Sequence, residues 1–166
     1  MLLRPFHSSD LQTLYEIDEA CFPPGISYSR EVLARFVGRR NAKTWVAQEG
    51  ETIIGFLVGN REPARVWHIV TIDVLEPWRR QGVGAVLMDA AEDWAAARGL
   101  RLIYLETAEN NLAAQAFYNK RGYVKYERLE RYYEDGTAAW VMVKRLKAEG
   151  RRMKATTRPL ATDNCN

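Results

Sequence analysis

Apolar positions along the chain switch between two periods, and the switches predict the elements. "MLLRPF" opens with a short run suited to an edge strand. "SSDLQTLYEIDEACF" then sets Leu11, Leu14, Tyr15 and Ile17 at helical spacing behind Ser and Asp caps. Pro23, Pro24 and Gly25 end that helix, and "SYSREVLARFVGRR" reads as a second one stopped by Gly38. The period then falls to two. "KTWVAQ" and "TIIGFLVG" around "EGE" predict a hairpin. "RVWHIVTIDV", rich in β-branched residues, predicts a third strand on which His68, Val70, Ile72 and Val74 share one parity.

Pro77 and Trp78 break the pattern, and a long helix follows. Val86, Leu87, Ala90, Ala91 and Trp94 fall on its inner face, with Asp89, Glu92 and Asp93 largely outside and Gly99 closing it. "LRLIYLET" is a further strand. "NNLAAQAFYNKRG" is a short helix capped by Asn and ended by Gly122. "YVKYERLERYY", the turn "EDG" and "AAWVMVKRL" read as a terminal hairpin, the Asp-Gly pair being a strong turn signal. A strand–helix–strand unit implies a right-handed crossover and a locally parallel pair. The flanking hairpins make the sheet mixed, so the fold class is α+β, or α/β in the loose sense.

Composition narrows this further. With 166 residues, 47% hydrophobic and 27% charged, the chain fits one globular domain, residues 1–146. Residues 147–166 form a basic tail without apolar period, expected to be disordered, and they supply much of the net charge of +3. No helix-turn-helix or RNA-recognition signature accompanies that charge, which argues against a nucleic-acid partner. Cys21 and Cys165 make no disulfide framework or metal spacing; Cys21 reads as a buried structural thiol. With only His7 and His68 besides, no metal is expected. No long apolar run appears, so no membrane partner is expected and a cytoplasmic enzyme or binding domain is the default.

The candidate chemistry sits in "EPWRRQGVGAVL". A nucleotide-triphosphate loop needs Gly-Lys followed by Ser or Thr, but Gly84 is followed by Ala85. A dinucleotide fold needs a third glycine where Leu87 stands and a strand running directly into the glycines. The remaining design is a pyrophosphate sling. Gly82 and Gly84 let backbone N–H groups converge at a helix start, where the helix dipole and Arg79 and Arg80 add positive charge.

Arg79-x-x-Gly82-x-Gly84 resembles the acyl-coenzyme A motif of the GNAT acetyltransferase superfamily. Asn111, Ala114, Tyr118 and Gly122-Tyr123 resemble a second block of the same family, with Tyr123 in place of its usual Phe. The resemblance runs from about Leu2 to Leu146 and implies that fold, with two parallel strands splayed apart. It implies acetyl-coenzyme A as cosubstrate, its pyrophosphate on Arg80, Gln81, Gly82, Val83, Gly84 and Ala85, with Arg79 beside them. The pantetheine arm would pair with Ile72, Asp73 and Val74 and touch Asn111. Tyr118 would protonate the departing thiolate.

Glu106 ends an apolar strand, and the resemblance to protein N-terminal acetyltransferases makes it the proton acceptor, acting through water, with solvent as the alternative base. His68 is a secondary candidate for a shared relay. An α-amine near pKa ~8 is far more often neutral at pH 7 than a lysine near ~10.4, which favours a chain end as acceptor. "CFPPGISYS" and "ERYYEDGTAAWVMVKRL" resemble the substrate loops of ribosomal-protein alanine acetyltransferases, implying Phe22, Pro23, Tyr28, Tyr132 and Tyr133 around a peptide N-terminus. Two departures stand out: Ala138 replaces an acidic residue, and the loop has an extra Pro-Gly step. Small-amine or lysine acetylation and a non-catalytic acyl-coenzyme A sensor are the rival functions. A monomer or homodimer is expected.

Overall fold

The computed structural model describes residues 1–147; the tail expectation thus lies, apart from Lys147, outside the described residues. Seven strands form one sheet in the order β1-β2-β3-β4-β5-β7-β6. They are β1 (Leu2–Pro5), β2 (Ala42–Glu49), β3 (Thr52–Glu62), β4 (Val66–Val74), β5 (Leu102–Ala108), β6 (Val124–Leu129) and β7 (Ala139–Arg145). The helices are α1 (Leu11–Cys21), α2 (Arg30–Val37), α3 (Val83–Ala97) and α4 (Leu112–Lys120). Only β4 and β5 pair in parallel; every other pairing is antiparallel. Each sheet face buries its own core. Leu14 and Ile17 of α1 and Leu33 of α2 pack on Val46, Phe56 and Val58. On the other face Leu87, Met88, Ala91 and Ala95 of α3 pack on Trp45, Leu57, Trp67 and Ile103.

Two irregularities at the centre position the site. The parallel pairing runs from Val66↔Leu102 to Ile69↔Leu105 and stops, so Val70 to Val74 of β4 lose their neighbour on that side. Immediately beyond that point β4 bulges: Val58 pairs with Thr71 and Gly59 with Ile69, leaving Val70 extra. The expected single parity from His68 to Val74 is therefore overturned. His68 and Val70 face the α1 side, but Ile72 and Val74 pack with the α3-side core. One strand thereby offers a polar residue to one face and an apolar floor to the other.

Three further expectations are corrected. The buried stripe of α3 is Val83, Leu87, Met88, Ala91 and Ala95, one step round from the predicted face, with Trp94 partly buried and tilted against Trp67, centroids 4.6 Å apart. Glu92 is not outside: it bonds Arg121 at 3.2 Å and Lys144 at 2.5 Å, tying α3 to the loop after α4 and to β7. Finally, β6 ends at Leu129, so Tyr132 and Tyr133 belong to the β6–β7 loop and not to a strand. The Asp-Gly turn holds there, Gly136 N–H donating to Tyr133 O at 2.9 Å.

A Cβ on Gly59 would overlap the indole of fully buried Trp67. A Cβ on Gly84 would meet Phe117 Cζ at an ordinary 3.5 Å. Gly59→Ala is expected to cost about 2 kcal/mol of stability by overpacking, whereas Gly84→Ala should leave the stability measured by urea unfolding within about 0.5 kcal/mol of wild type.

Candidate active site

The turn before α3 is built as an anion cradle. Gly82, with φ +87°, is the residue before the first helical turn, and Arg80 also sits at φ +59°, so successive N–H groups turn inward. Arg79 Nε donates to Val74 O at 2.8 Å, pinning the turn to the end of β4. A cavity of about 380 Å³ opens here, lined by Ile72, Asp73, Val74, Arg79, Arg80, Gly82, Gly84 and Ala85 from the β4–α3 connection and by Asn111, Phe117 and Tyr118. Asn111 caps α4, its side chain accepting from Ala114 N–H at 3.1 Å, so the helix start fixes where that side chain stands.

A second cavity, about 460 Å³, lies on the α1 side. Phe22, Pro23, Ile26 and Tyr28 line it from the α1–α2 loop, Val70 and Thr71 from the bulge, Glu106 from β5, and Tyr132 and Tyr133 from the β6–β7 loop. The two loops are clasped over it: Glu134 N–H donates to Gly25 O at 3.1 Å, and Gly25 takes φ +89° to make that approach. The Pro-Gly step noted in the sequence is what brings the loops together. Both cavities share Cys21, Phe22, Ile72, Asn111, Ala114 and Tyr118, so they meet where β4 and β5 part.

Tyr118, nearly buried, has its pKa raised by desolvation and by the charges of Asp73 and Tyr133, so it keeps its proton near neutrality. Tyr28 and Tyr133 are raised for the same first reason, and Tyr132 is pushed up to about 12 by burial and Glu106. These phenols can give protons and not take them. Glu106 is the carboxylate of β5 in this lining: its Oε2 lies 2.7 Å from His68 Nε2, a direct bond where the sequence suggested only a shared relay. Beneath the loop lie two buried carboxyls. Asp18 accepts from Tyr28 N–H at 2.7 Å while its other oxygen has no partner among the described residues, and burial raises its pKa to about 6. Asp73 is raised further by burial and by Asp18, with Thr71 donating to it at 3.3 Å.

Most residues singled out in the sequence thus line one of the two cavities. Three line neither. Gln81 folds back to donate to Pro77 O at 2.7 Å, and Val83 is buried in the α3 core. The Asp73 carboxyl turns toward Thr71, away from the cradle's charged rim. His68 is absent from both linings and stands behind Glu106. Cys21, read in the sequence as a buried structural thiol, is only half-buried and lies between the cavities with its thiol 3.4 Å from Val74 O; sequence reasoning missed Phe117, which walls the cradle. Its position one residue before Tyr118 was the available signal for Phe117. No group of three metal-binding side chains occurs among the described residues, and no described helix is long and apolar enough to cross a membrane.

A parted parallel pair with an anion cradle on one side and a phenol-lined slot on the other defines an acyl-coenzyme A-dependent transferase. The chain belongs to the acetyltransferase (GNAT) family, whose sequence signature matches residues 11–123. It is 32% identical over 117 residues to N-alpha-acetyltransferase 30 of Schizosaccharomyces pombe, covering 68% of this chain and 78% of that protein. In structure it resembles the ribosomal-protein-S18-alanine N-acetyltransferase of Escherichia coli, with a TM-score of 0.81 at 21% identity over 92% of this chain and 97% of that one. It also resembles Arabidopsis thaliana NAA60 in complex with acetyl-CoA, with a TM-score of 0.75 at 20% identity over 87% and 98% of the two chains. The protein is accordingly an acetyl-coenzyme A-dependent N-acetyltransferase.

The Asp18 carboxyl gives stability a pH signature. Folded it holds its proton to about pH 6, against 3.8 as its ordinary value. Native protein thus binds a proton that the unfolded chain has released between those values, and stability falls as pH rises through the window. Urea unfolding at pH 5 and pH 7.5 should show a gap that Asp18→Asn narrows by about 1.4 kcal/mol.

Proposed function

We propose that the acceptor is the α-amine of a protein or peptide N-terminus. The observation that carries this is the slot itself: a cavity roofed by the Gly25–Glu134 clasp, walled by Phe22, Tyr28, Tyr132 and Tyr133, and meeting the acetyl-coenzyme A cradle at Tyr118. A roofed slot suits a chain end better than a side chain projecting from the middle of a peptide. Phenols and apolar groups make up its entrance walls, and Glu106 and Asp135 are its carboxylates. The similarity to N-alpha-acetyltransferase 30 supports the same reading.

In this mechanism Glu106, directly or through one water, takes a proton from the α-ammonium, and the freed amine attacks the thioester carbonyl. The new N–C bond forms as the C–S bond breaks, Tyr118 gives its proton to the departing thiolate, and the second proton lost from nitrogen as the amide forms restores the Tyr118 phenol. Ile72 to Val74, left without a strand partner on one side, hold the pantetheine arm so that the carbonyl sits at the junction. The cradle of Arg79 to Ala85 holds the pyrophosphate. No covalent acetyl-enzyme is required, since both reactants reach one point from opposite faces. Cys21, at that junction, has its thiol pKa raised first by burial, which disfavours a thiolate nucleophile.

Coenzyme A release should be measured with short peptides in two forms, one with a free N-terminus and one N-blocked with a free internal lysine. Turnover confined to free N-termini, and varying with the first residue, is expected; turnover of the blocked lysine peptides, or of small amines alone, would overturn the N-terminal reading. Tyr118→Phe should lower kcat about 100-fold while acetyl-coenzyme A binding by calorimetry stays near wild type. Wild-type turnover in that variant would remove Tyr118 from the mechanism.

A further inference from the structure

Behind Glu106 stands a line of polar groups that acetyl transfer at the slot does not by itself require. His68 Nε2 is 2.7 Å from Glu106 Oε2, and on the ring's other side Nδ1 is 3.7 Å from Glu62 Oε1. The same Glu62 oxygen accepts from Tyr104 OH at 2.9 Å. The Tyr104 ring lies flat on the His68 ring, centroids 4.3 Å apart and planes within 1°. Three side chains from the two strands flanking β4 thus surround one imidazole, with a hydrogen bond at Nε2, a carboxylate 3.7 Å from Nδ1 and a stacked face. Side-chain exposure rises along the line, from 14% at Glu106 to 19% at His68 and 38% at Glu62, and of these only Glu106 lines the acceptor cavity.

We propose that Glu62 and Tyr104 are positioning residues for the base: they fix the His68 ring so that Nε2–H is held on Glu106 Oε2, leaving the other carboxylate oxygen aimed at the acceptor amine. The assignment follows from what each atom can do. An ionised Glu106 has only lone pairs, so the 2.7 Å contact needs its proton on Nε2. When the ring is doubly protonated, Nδ1–H points at Glu62 as Nε2–H points at Glu106, so the two carboxylates favour that imidazolium in this orientation over a flipped or swung-out one, and Tyr104 holds Glu62 in place. The logic is that of a base oriented by a second group and fixed by a third. It rests on the reading of Glu106 as base, but not on which amine is the acceptor.

The charge of Glu62 also acts on the pair. Facing Glu106 and His68 are Glu62 from β3, Tyr104 from β5, Tyr28 from the α1–α2 loop, and Tyr132 and Tyr133 from the β6–β7 loop. All four tyrosines are pushed up and keep their protons, so Glu62 is the carboxylate neighbour among the described residues. Removing a negative charge makes the pair release its proton more readily, which moves the acid limb of the rate profile to lower pH.

The test pairs Glu62→Gln with Tyr104→Phe, using any acceptor the wild type accepts. For Glu62→Gln the acid limb of kcat/KM should move down by about half a pH unit, as a partly exposed pair near 4 Å warrants. The plateau kcat should fall several-fold with acceptor KM unchanged. Tyr104→Phe, which leaves the charge, should lower kcat with the limb in place. Independently of turnover, proton NMR should show a downfield Nε2–H of His68 in wild type that broadens in both variants, with His7 as the only other histidine signal. An unmoved limb in Glu62→Gln together with an unchanged His68 signal would overturn the proposal. Glu106→Gln at wild-type rate, with the His68 signal intact, would instead overturn the reading of Glu106 as base.

Discussion

Two parallel strands that bond over four residues and then separate leave backbone N–H and C=O groups with no partner, and such groups are costly unless something else satisfies them. In this chain the parting of β4 from β5 after Ile69 and Leu105 creates that need at the middle of the sheet. It opens a hole through a layer that is elsewhere continuous, so the two faces communicate. The bulge at Val70 sits at the same place and sorts the side chains: His68 goes to one face, Ile72 and Val74 to the other. A pantetheine amide can supply the missing hydrogen bonds, and an amine can reach the same point from the opposite face. Almost every feature of the site is arranged around that opening.

What the opening costs is visible in the surrounding charges. Asp18 and Asp73 are buried carboxyls on the acceptor side, and Asp18 keeps one oxygen without a partner among the described residues. Replacing such groups with apolar ones would stabilise many cores. Here Asp18 accepts the Tyr28 N–H and so fixes the loop carrying Phe22 and Pro23, while Gly25 docks that loop on Glu134. The slot is therefore held at both ends of one loop, by a buried carboxyl inside and a backbone clasp outside. Stability is spent on a defined entrance.

Much of this was legible in the sequence, and the limits have physical causes. Local chemistry was readable: Gly82 and Gly84 with two arginines mark the anion turn, Asn111 marks a helix start, and Asp135-Gly136 marks a turn. Alternation gave the strands and the crossover gave the parallel pair. A bulge is invisible to alternation, because inserting one residue flips every side chain beyond it; hence the error over Ile72 and Val74. The position of Glu92 was misjudged because its partners, Arg121 and Lys144, lie about 30 and 50 residues away in sequence. Glu62 was missed for the same reason. Nothing near it in the chain says that its carboxyl crosses β4 to reach Tyr104.

The same geometry explains why one tyrosine among eight is suited to act on the leaving thiolate. Tyr28, Tyr132 and Tyr133 line only the acceptor cavity, and Tyr104 lines neither; Tyr118 alone among them lines both. A proton donor to sulfur must stand at the carbonyl and on the side of the departing arm, and the junction is where those conditions coincide. Burial keeps Tyr118 protonated until a strong base forms beside it. A thiolate released into the same desolvated space is such a base, since removing water disfavours its charge as much as that of the phenolate. In the proposed mechanism the proton is thus retained while the thioester is intact and given up as the C–S bond breaks, so the enclosure that raises the phenol's pKa would also make it a timely acid.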